Sequence, residues 1–176
     1  MALKRDDYIE EFIINRDLQN KFEYESILPH VYLKDVHNIL VTCAVSFRIP
    51  LEIARNNPNI NVDYCDHPNI LAIAERIIKK EYDCSNVNFI SNEDDSLIKE
   101  NHYDVILIDC SIDSFSVTDN VKLLRNYSNK LKSNGRLIVH QMLLDDTRTE
   151  PTPVALRSIT MLLNTVSGSS FTYSDI

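Results

Sequence analysis

Five short apolar stretches recur along this chain of 176 residues, and segments of helical periodicity separate them. They read NILVTCA, INVDYC, NVNFIS, YDVILIDC and RLIVHQM. Most of them are apolar on both faces, which is typical of strands buried between two layers of helices. Strands that alternate with helices pair in parallel, and their crossovers are right-handed. The pattern therefore predicts an α/β protein with a doubly wound, mainly parallel sheet.

Helical periodicity fills the segments around these strands. Pro50 suits the first turn of one helix and Pro68 opens another, since a missing N–H costs nothing there. The Asn-Gly pair that ends at Gly135 predicts a turn into the fifth strand. We expect an N-terminal helical segment over residues 1–35 and a sheet domain over residues 36–176, together one globular domain. The predicted helices cover residues 6–20, 24–32, 49–57, 68–82, 118–133 and 153–164.

The chain is acidic, which limits its partners. Its formal net charge is −8, so phosphate backbones and anionic membranes repel it, and we expect no nucleic-acid or membrane partner. The N-terminus lacks the apolar core of a secretory signal, and no stretch is long enough to span a membrane. We therefore expect a cytoplasmic protein.

The cysteines argue against a metal site. Cys43, Cys65, Cys84 and Cys110 form no CxxC pair. A structural zinc site typically uses such pairs, and the acids and histidines of this chain also lack the spacing of metal ligands. The sequence thus predicts reduced thiols in a cytosolic protein and no metal ligands.

Two long segments carry a specific resemblance. They are LKSNGRLIVHQMLLDDTRTEPTPVALRSITMLLNTVSGSSFTYSDI and NPNINVDYCDHPNILAIAERI. From residue 39 to residue 176, the chain resembles class I S-adenosylmethionine-dependent O-methyltransferases that act on small aromatic and natural-product hydroxyls, including the caffeate and acetylserotonin types. The resemblance implies the Rossmann-like class I methyltransferase fold. It also implies S-adenosylmethionine as cofactor and methyl transfer to a hydroxyl as the reaction.

The cofactor loop departs from this family. After the first strand, the resemblance implies an acidic residue and then a glycine-rich turn that lets the backbone approach the cofactor. Val41 stands at the position of the acid. The positions of three glycines carry Ala44, Val45 and Phe47. A phenylalanine conflicts with close backbone approach and with a positive φ. We expect its ring to fill space that the methionine part of the cofactor needs.

Two acids of the family's cofactor site are retained. The resemblance assigns Asp66, about twenty residues after the loop, to the ribose hydroxyls. An alternative of equal weight is that Asp66 caps the helix that Pro68 opens. Glu93 matches an acid that lies near the adenine, although an acid within SNEDDS is also typical of a solvated loop.

The catalytic base departs from the family as well. The resemblance implies His-Asp-Trp after the fourth strand, where the histidine takes the proton from the substrate hydroxyl. Here Asp113, Ser114 and Phe115 occupy those positions. A carboxylate with a pKa of about 4 is a weaker base than an imidazole, unless burial raises its pKa. Asp113 is therefore the candidate catalytic residue in place of the histidine.

The end of the chain predicts a partner. The resemblance implies final strands that are missing here, so RLIVHQM forms an open apolar sheet edge. We expect a second copy, which gives a homo-oligomer, or a companion protein chain to cover this strand. The alternative is that this chain is a fragment of a longer protein.

Three functions remain open. The first is a methyltransferase-fold subunit in a biosynthetic pathway that does not transfer methyl groups but binds a small molecule or a partner enzyme. The chain's two glycines, Gly135 and Gly168, favour it, because they match glycines that shape the fold rather than the cofactor loop. The second is an active O-methyltransferase with an atypical loop. The third is an enzyme of another reaction that uses Asp113 as acid or base.

Overall fold

The structure is a computed structural model, and it describes residues 10–11, 13–15, 21–43, 46–82 and 84–176. Within the helix predicted over residues 6–20, residues 10–11 and 13–15 are helical, and the rest lies outside the described residues. Ala44 and Val45, predicted to replace glycines of the cofactor loop, also lie outside the described residues.

The strands of the described chain form one parallel sheet. They are β1 (Asn38–Cys43), β2 (Asn61–Asp66), β3 (Val87–Ser91), β4 (Tyr103–Asp109) and β5 (Leu131–His140). Their order in the sheet is β3-β2-β1-β4-β5, and every pairing is parallel. The chain thus starts at the centre and winds outward in both directions. This confirms the predicted doubly wound sheet and places a topological switch point between β1 and β4.

The helices connect these strands close to where periodicity predicts them. They are α1 (Lys21–Ile27), α2 (Arg48–Asn56), α3 (Pro68–Glu81), α4 (Val117–Lys130) and α5 (Thr152–Asn164), and a 3₁₀ turn over Leu28–His30 follows α1. Ser116 caps α4, since its hydroxyl accepts a hydrogen bond from the Asp119 N–H at 3.1 Å. The helix predicted over residues 118–133 is too long, because Leu131 already begins β5.

Gly135 lies within β5, so the turn predicted there is wrong. A Cβ atom at this position would lie 2.8 Å from the carbonyl oxygen of Tyr103. The pairing of β4 with β5 shifts register between Tyr103 and Val105. The two backbones approach closely at this irregularity, and only a residue without a side chain fits.

Neighbouring residues of β1 build the core on opposite faces of the sheet. Leu40 belongs to the cluster that contains Ile106 and Ile108, whereas Val41 belongs to the cluster that contains Leu107. This alternation follows from the pleat of a strand, which sends successive side chains to opposite faces. All of these side chains are fully buried. None of the described helices combines the length and hydropathy that a membrane crossing requires.

Candidate functional site

A cavity of about 320 Å³ opens where β1, β2 and β4 end, and we call it the edge cavity. Thr42 and Cys43 of β1 and Cys65 and Asp66 of β2 line one side of it. Open α/β sheets bind their ligands at the carboxyl ends of the strands, beside the switch point. The edge cavity is therefore the candidate ligand site. Its other lining residues are Asn92, Asp95, Ile98, Ser111, Ser114, Phe115, Leu123, Asn126 and Tyr127.

Asp66 is the buried carboxylate at the edge cavity, with 8% of its surface exposed. The Tyr64 hydroxyl donates to its Oδ2 atom at 2.9 Å, and the His67 backbone N–H donates to its Oδ1 atom at 2.7 Å. Burial, together with the charge of Asp66, raises the pKa of Tyr64 well above its ordinary value. The phenol therefore stays a proton donor that orients the carboxylate.

The cap of helix α3 is His67 rather than Asp66. The Nδ1 atom of His67 accepts a hydrogen bond from the Asn69 N–H at 3.3 Å. Capping therefore does not account for Asp66, which lies one residue before the cap. The assignment of Asp66 to ribose hydroxyls remains a prediction.

Asp95 faces the edge cavity from the turn after β3. Asn126 donates to its Oδ1 atom at 2.9 Å, and the buried Lys130 ammonium donates to its Oδ2 atom at 3.0 Å. Burial alone raises the pKa of Asp95, but the hydrogen bonds from Asn126 and Lys130 outweigh it and lower the pKa below its ordinary value. Asp95 is thus an ionised carboxylate whose charge is paired with Lys130 at this wall of the edge cavity.

Glu93, the acid predicted near an adenine, is not among the residues that line the edge cavity. Its side chain is 64% exposed and lies 3.3 Å from the Nε2 atom of His67. Asn92 and Asp95 line the edge cavity on either side of it in sequence. The predicted role of Glu93 has no support from its position in the structure, and it stays a prediction.

Val41 and Phe47, two of the residues that replace the family's loop pattern, belong to the apolar core. Phe47 is 3% exposed, and it is the N-cap residue of α2 with a φ of −94°. Its backbone is therefore free of the strain that a positive φ imposes on a phenylalanine. The ring packs with Val41 in the cluster beneath α2, where it adds no polar group for a ligand.

Asp113 lies in the 3₁₀ turn Ile112–Ser114 after β4, and it is completely buried. The Arg157 Nε atom donates to its Oδ2 atom at 2.6 Å, and the Gln141 amide donates to the same oxygen at 3.3 Å. The Oδ1 atom has no hydrogen-bond partner within the described chain. Asp113 is thus half of a buried ion pair, and sequence reasoning missed its partner Arg157.

The backbone of this turn is held from two sides. A Cβ atom at Gly168 would lie 2.4 Å from the Asp113 carbonyl oxygen. The Asn120 side chain donates to the Ile112 carbonyl at 2.7 Å. Gly168 is therefore required because the segment after α5 packs directly on the turn that carries Asp113.

Solved structures of other proteins share this fold. The structure of PigF with SAH matches at a TM-score of 0.87 and 18% identity, over 97% of this chain and 51% of that chain. Human N-acetylserotonin methyltransferase in complex with SAM matches at 0.76 and 17% identity, over 95% of this chain and 47% of that chain. At these identities the likeness shows the fold alone, which is the predicted Rossmann-like class I methyltransferase fold.

The O-methyltransferase domain family matches residues 15–175, so the chain belongs to this family. A curated relative is 3-hydroxy-5-methyl-1-naphthoate 3-O-methyltransferase from Streptomyces sahachiroi. It is 26% identical over 120 residues, which are 65% of this chain and 33% of that protein. The chain spans about a third of this relative and about half of the two solved chains.

Proposed function

We propose that this chain is a methyltransferase-fold subunit that does not transfer methyl groups on its own, and that its edge cavity binds a nucleoside-type ligand. The buried ion pair of Asp113 with Arg157 is the observation that carries this proposal. Asp66 supports the part of the proposal that concerns the ligand. Its carboxylate lines the edge cavity and accepts hydrogen bonds from the Tyr64 hydroxyl and the His67 N–H.

A general base must be reachable by the substrate and must be able to take its proton. Asp113 stands where the family has its histidine, yet its side chain is fully buried. Its Oδ2 atom instead accepts a hydrogen bond at 2.6 Å from Arg157, whose side chain is 16% exposed. This is the position of a residue that joins two parts of the fold rather than of a base that a substrate hydroxyl can reach.

The residues present fit S-adenosylmethionine only in part. Asp66 offers carboxylate lone pairs beside a cavity of about 320 Å³, a volume at the lower end of small-molecule sites. These features suit the nucleoside half of the cofactor. Val41 and Phe47 supply apolar core where the resemblance implies an acid and a glycine. The amino-acid half therefore lacks its polar partners among these residues, and we derive no methyl-transfer step.

An active O-methyltransferase is the second candidate, and one atom favours it. The Oδ1 atom of Asp113 is buried without a hydrogen-bond partner in the described chain. Buried carboxylate oxygens are seldom left unsatisfied. A substrate hydroxyl that reached this oxygen would satisfy it and would bring the reacting group to the family's catalytic position.

Calorimetric titration with S-adenosylhomocysteine tests the ligand part of the proposal. We expect binding by the unmodified chain and at least tenfold weaker binding by Asp66→Ala, because a hydrogen bond to a charged group contributes about 1.5–3 kcal/mol. Glu25→Ala, at an exposed site on α1, is the matched control, and we expect it to bind as the unmodified chain does. Equal affinity for Asp66→Ala, or no binding by a folded chain, would overturn this part.

A methyl-transfer assay tests the catalytic part. The chain is incubated with isotopically labelled S-adenosylmethionine and a panel of small phenols, and the labelled product is counted. We expect no product above a protein-free blank. Product that disappears in Asp113→Asn, a variant checked for folding by its thermal melt, would establish the second candidate instead.

We also infer a protein partner that covers the edge strand β5 and the exposed apolar side chains of α5 and the segment after it, and we test a second copy of this chain as that partner. These apolar side chains are Leu156, Ile159, Leu162, Leu163 and Val166, each exposed by 55% or more. Monomeric proteins rarely expose contiguous apolar patches of this kind. Sedimentation over a range of concentrations should show a dimer that Leu162→Glu dissociates. A monomer at every concentration would contradict the homo-oligomer.

A further inference from the structure

A second group of reactive side chains lies where β4 and β5 end, and we call it the β4–β5 cluster. It consists of Asp109, Cys110 and His140. The His140 Nδ1 atom lies 2.6 Å from the Asp109 Oδ1 atom and 3.8 Å from the Cys110 Sγ atom. The three ligand atoms all lie within 4.8 Å of one another. Nothing in the proposed function uses these residues.

Strand pairing brings the three residues together. Asp109 and His140 are Cα partners at the last position of the β4–β5 ladder. The Cys110 backbone N–H then donates to the His140 carbonyl at 2.9 Å. The last residue of β4, the residue that follows it and the last residue of β5 are thus fixed by backbone hydrogen bonds, so the cluster is pre-formed on a rigid element.

The backbone of Cys110 is strained, and its conformation accompanies the approach of the thiol to His140. Its φ is +47°, a left-handed conformation that few residues other than glycine and asparagine adopt. Strained residues of this kind concentrate at functional sites, where surrounding structure holds them. The left-handed backbone comes directly after Asp109, and the cysteine thiol lies within reach of the same histidine nitrogen.

Burial and charge also suit a bound cation. Asp109 and Cys110 are 3% and 2% exposed, whereas the His140 side chain is 28% exposed. One side of the cluster therefore stays open to solvent through the histidine. A carboxylate and a thiolate together carry two negative charges, so a divalent ion makes the group neutral without further partners.

The ligand set matches zinc. Zn²⁺ binds imidazole nitrogen and carboxylate oxygen at about 2.0–2.2 Å and thiolate sulfur at about 2.3 Å, so its tetrahedral ligands lie roughly 3.3–3.6 Å apart. The His140 Nδ1 atom lies 2.6 Å from the Asp109 Oδ1 atom, below this range, and 3.8 Å from the Cys110 Sγ atom, above it. Small side-chain movements would bring both distances into the range. We propose that Asp109, Cys110 and His140 bind a divalent transition-metal ion of the zinc class and leave it one open coordination position.

Cobalt substitution tests the proposal, because Co²⁺ bound by a thiolate absorbs through a ligand-to-metal charge-transfer band. The metal-free chain is titrated with Co²⁺, and the bound Co²⁺ is then displaced with Zn²⁺. We expect saturable binding, the charge-transfer band, and tetrahedral visible bands that Zn²⁺ abolishes. Cys110→Ser should remove the charge-transfer band. His140→Gln and Asp109→Asn should weaken binding at least about tenfold, since loss of even an outer partner costs about 10–100-fold.

The matched control is Cys84→Ser, which removes a thiol outside the cluster and should leave the titration unchanged. Thermal melts show whether each variant is folded. If Cys110→Ser does not fold, His140→Gln and Asp109→Asn still test the site. Binding without a charge-transfer band, or with a band that survives Cys110→Ser, would overturn the proposal. So would an unchanged affinity in folded His140→Gln. The cluster would then be only a hydrogen-bonded histidine and aspartate beside a thiol.

Discussion

Asp66 and Asp113 are both buried carboxylates near the carboxyl ends of the strands, but their partners give them opposite roles. Asp66 accepts hydrogen bonds from a neutral phenol and a backbone N–H, and it lines the edge cavity. Asp113 accepts its short hydrogen bond from the guanidinium of Arg157. A carboxylate held by neutral donors keeps its negative charge available to a ligand, whereas one paired with a cation has that charge neutralised within the fold.

The largest expected difference between the two acids is in stability. Asp113→Ala removes the fully buried partner of Arg157, and because that guanidinium keeps 16% of its side chain exposed, we expect the free energy of unfolding to fall by about 3 kcal/mol. Urea unfolding measures this loss. Glu25→Ala, at an exposed site on α1, is the control and should change stability by no more than about 0.5 kcal/mol. A loss below about 1 kcal/mol for Asp113→Ala would show that the ion pair contributes little.

Crowding the Asp113 turn should have the next largest effect. In Gly168→Ala, the added Cβ atom would lie 2.4 Å from the Asp113 carbonyl oxygen. The backbone must shift, and overpacking of this kind costs about 1–3 kcal/mol. Ser167→Ala, at the exposed neighbouring position, is the matched control for thermal melts of both variants. Equal melting temperatures would contradict the close approach.

Substitution of Asp66 should lower the free energy of unfolding by less, and the loss should depend on which residue replaces it. Asp66→Ala leaves the buried Tyr64 hydroxyl without its acceptor, and an unsatisfied buried group costs about 1–3 kcal/mol. Asp66→Asn keeps an acceptor oxygen and should recover most of that loss while still weakening ligand binding. Urea unfolding of the two variants separates hydrogen bonding from charge. A loss as large for Asn as for Ala would make the charge itself the stabilising feature.

Asp104, near the start of β4, is a third carboxylate, and its substitution should have the smallest effect on stability. Burial alone raises the pKa of Asp104, but hydrogen bonds from Lys132 and from the backbone N–H groups of Asn38 and His37 outweigh it and lower the pKa. Stability from this acid is therefore present above its unfolded pKa of about 3.9 and is lost as pH falls through the lower folded value.

The Asp104→Asn variant tests this pH dependence. We expect it to lose about 1 kcal/mol or less at neutral pH, because its partner Lys132 is 39% exposed. Urea unfolding at neutral pH and at about pH 3 should show a shallower decline for the variant than for the unmodified chain. Parallel declines would mean that Asp104 does not couple stability to pH.

Sequence reasoning predicted the sheet well, because strands buried on both faces are continuous apolar runs in the sequence. It placed Gly135 in a turn, because local rules cannot show that β4 approaches β5 at Tyr103. It also missed Arg157, since the ion pair joins a turn after β4 to helix α5. Local spacing carries no signal for such a contact.

The β4–β5 cluster was missed for the same reason. Rules for metal ligands count residues along one strand, helix or loop. Cys110 and His140 are brought together by the pairing of two parallel strands, with helix α4 between them in sequence. Only the register of the sheet shows that the residues at the ends of both strands meet.

The burial of the thiols has a practical consequence for following how this protein opens. Cys43, Cys65 and Cys110 are each at most 4% exposed, whereas Cys84 is partly exposed. Burial, aided by Asp66, raises the pKa of Cys65 to about 12, and alkylating reagents react with the thiolate. A maleimide should therefore modify Cys84 quickly in the native protein and the three buried thiols much more slowly, through openings that expose them. The rate of their labelling then reports how often those openings occur.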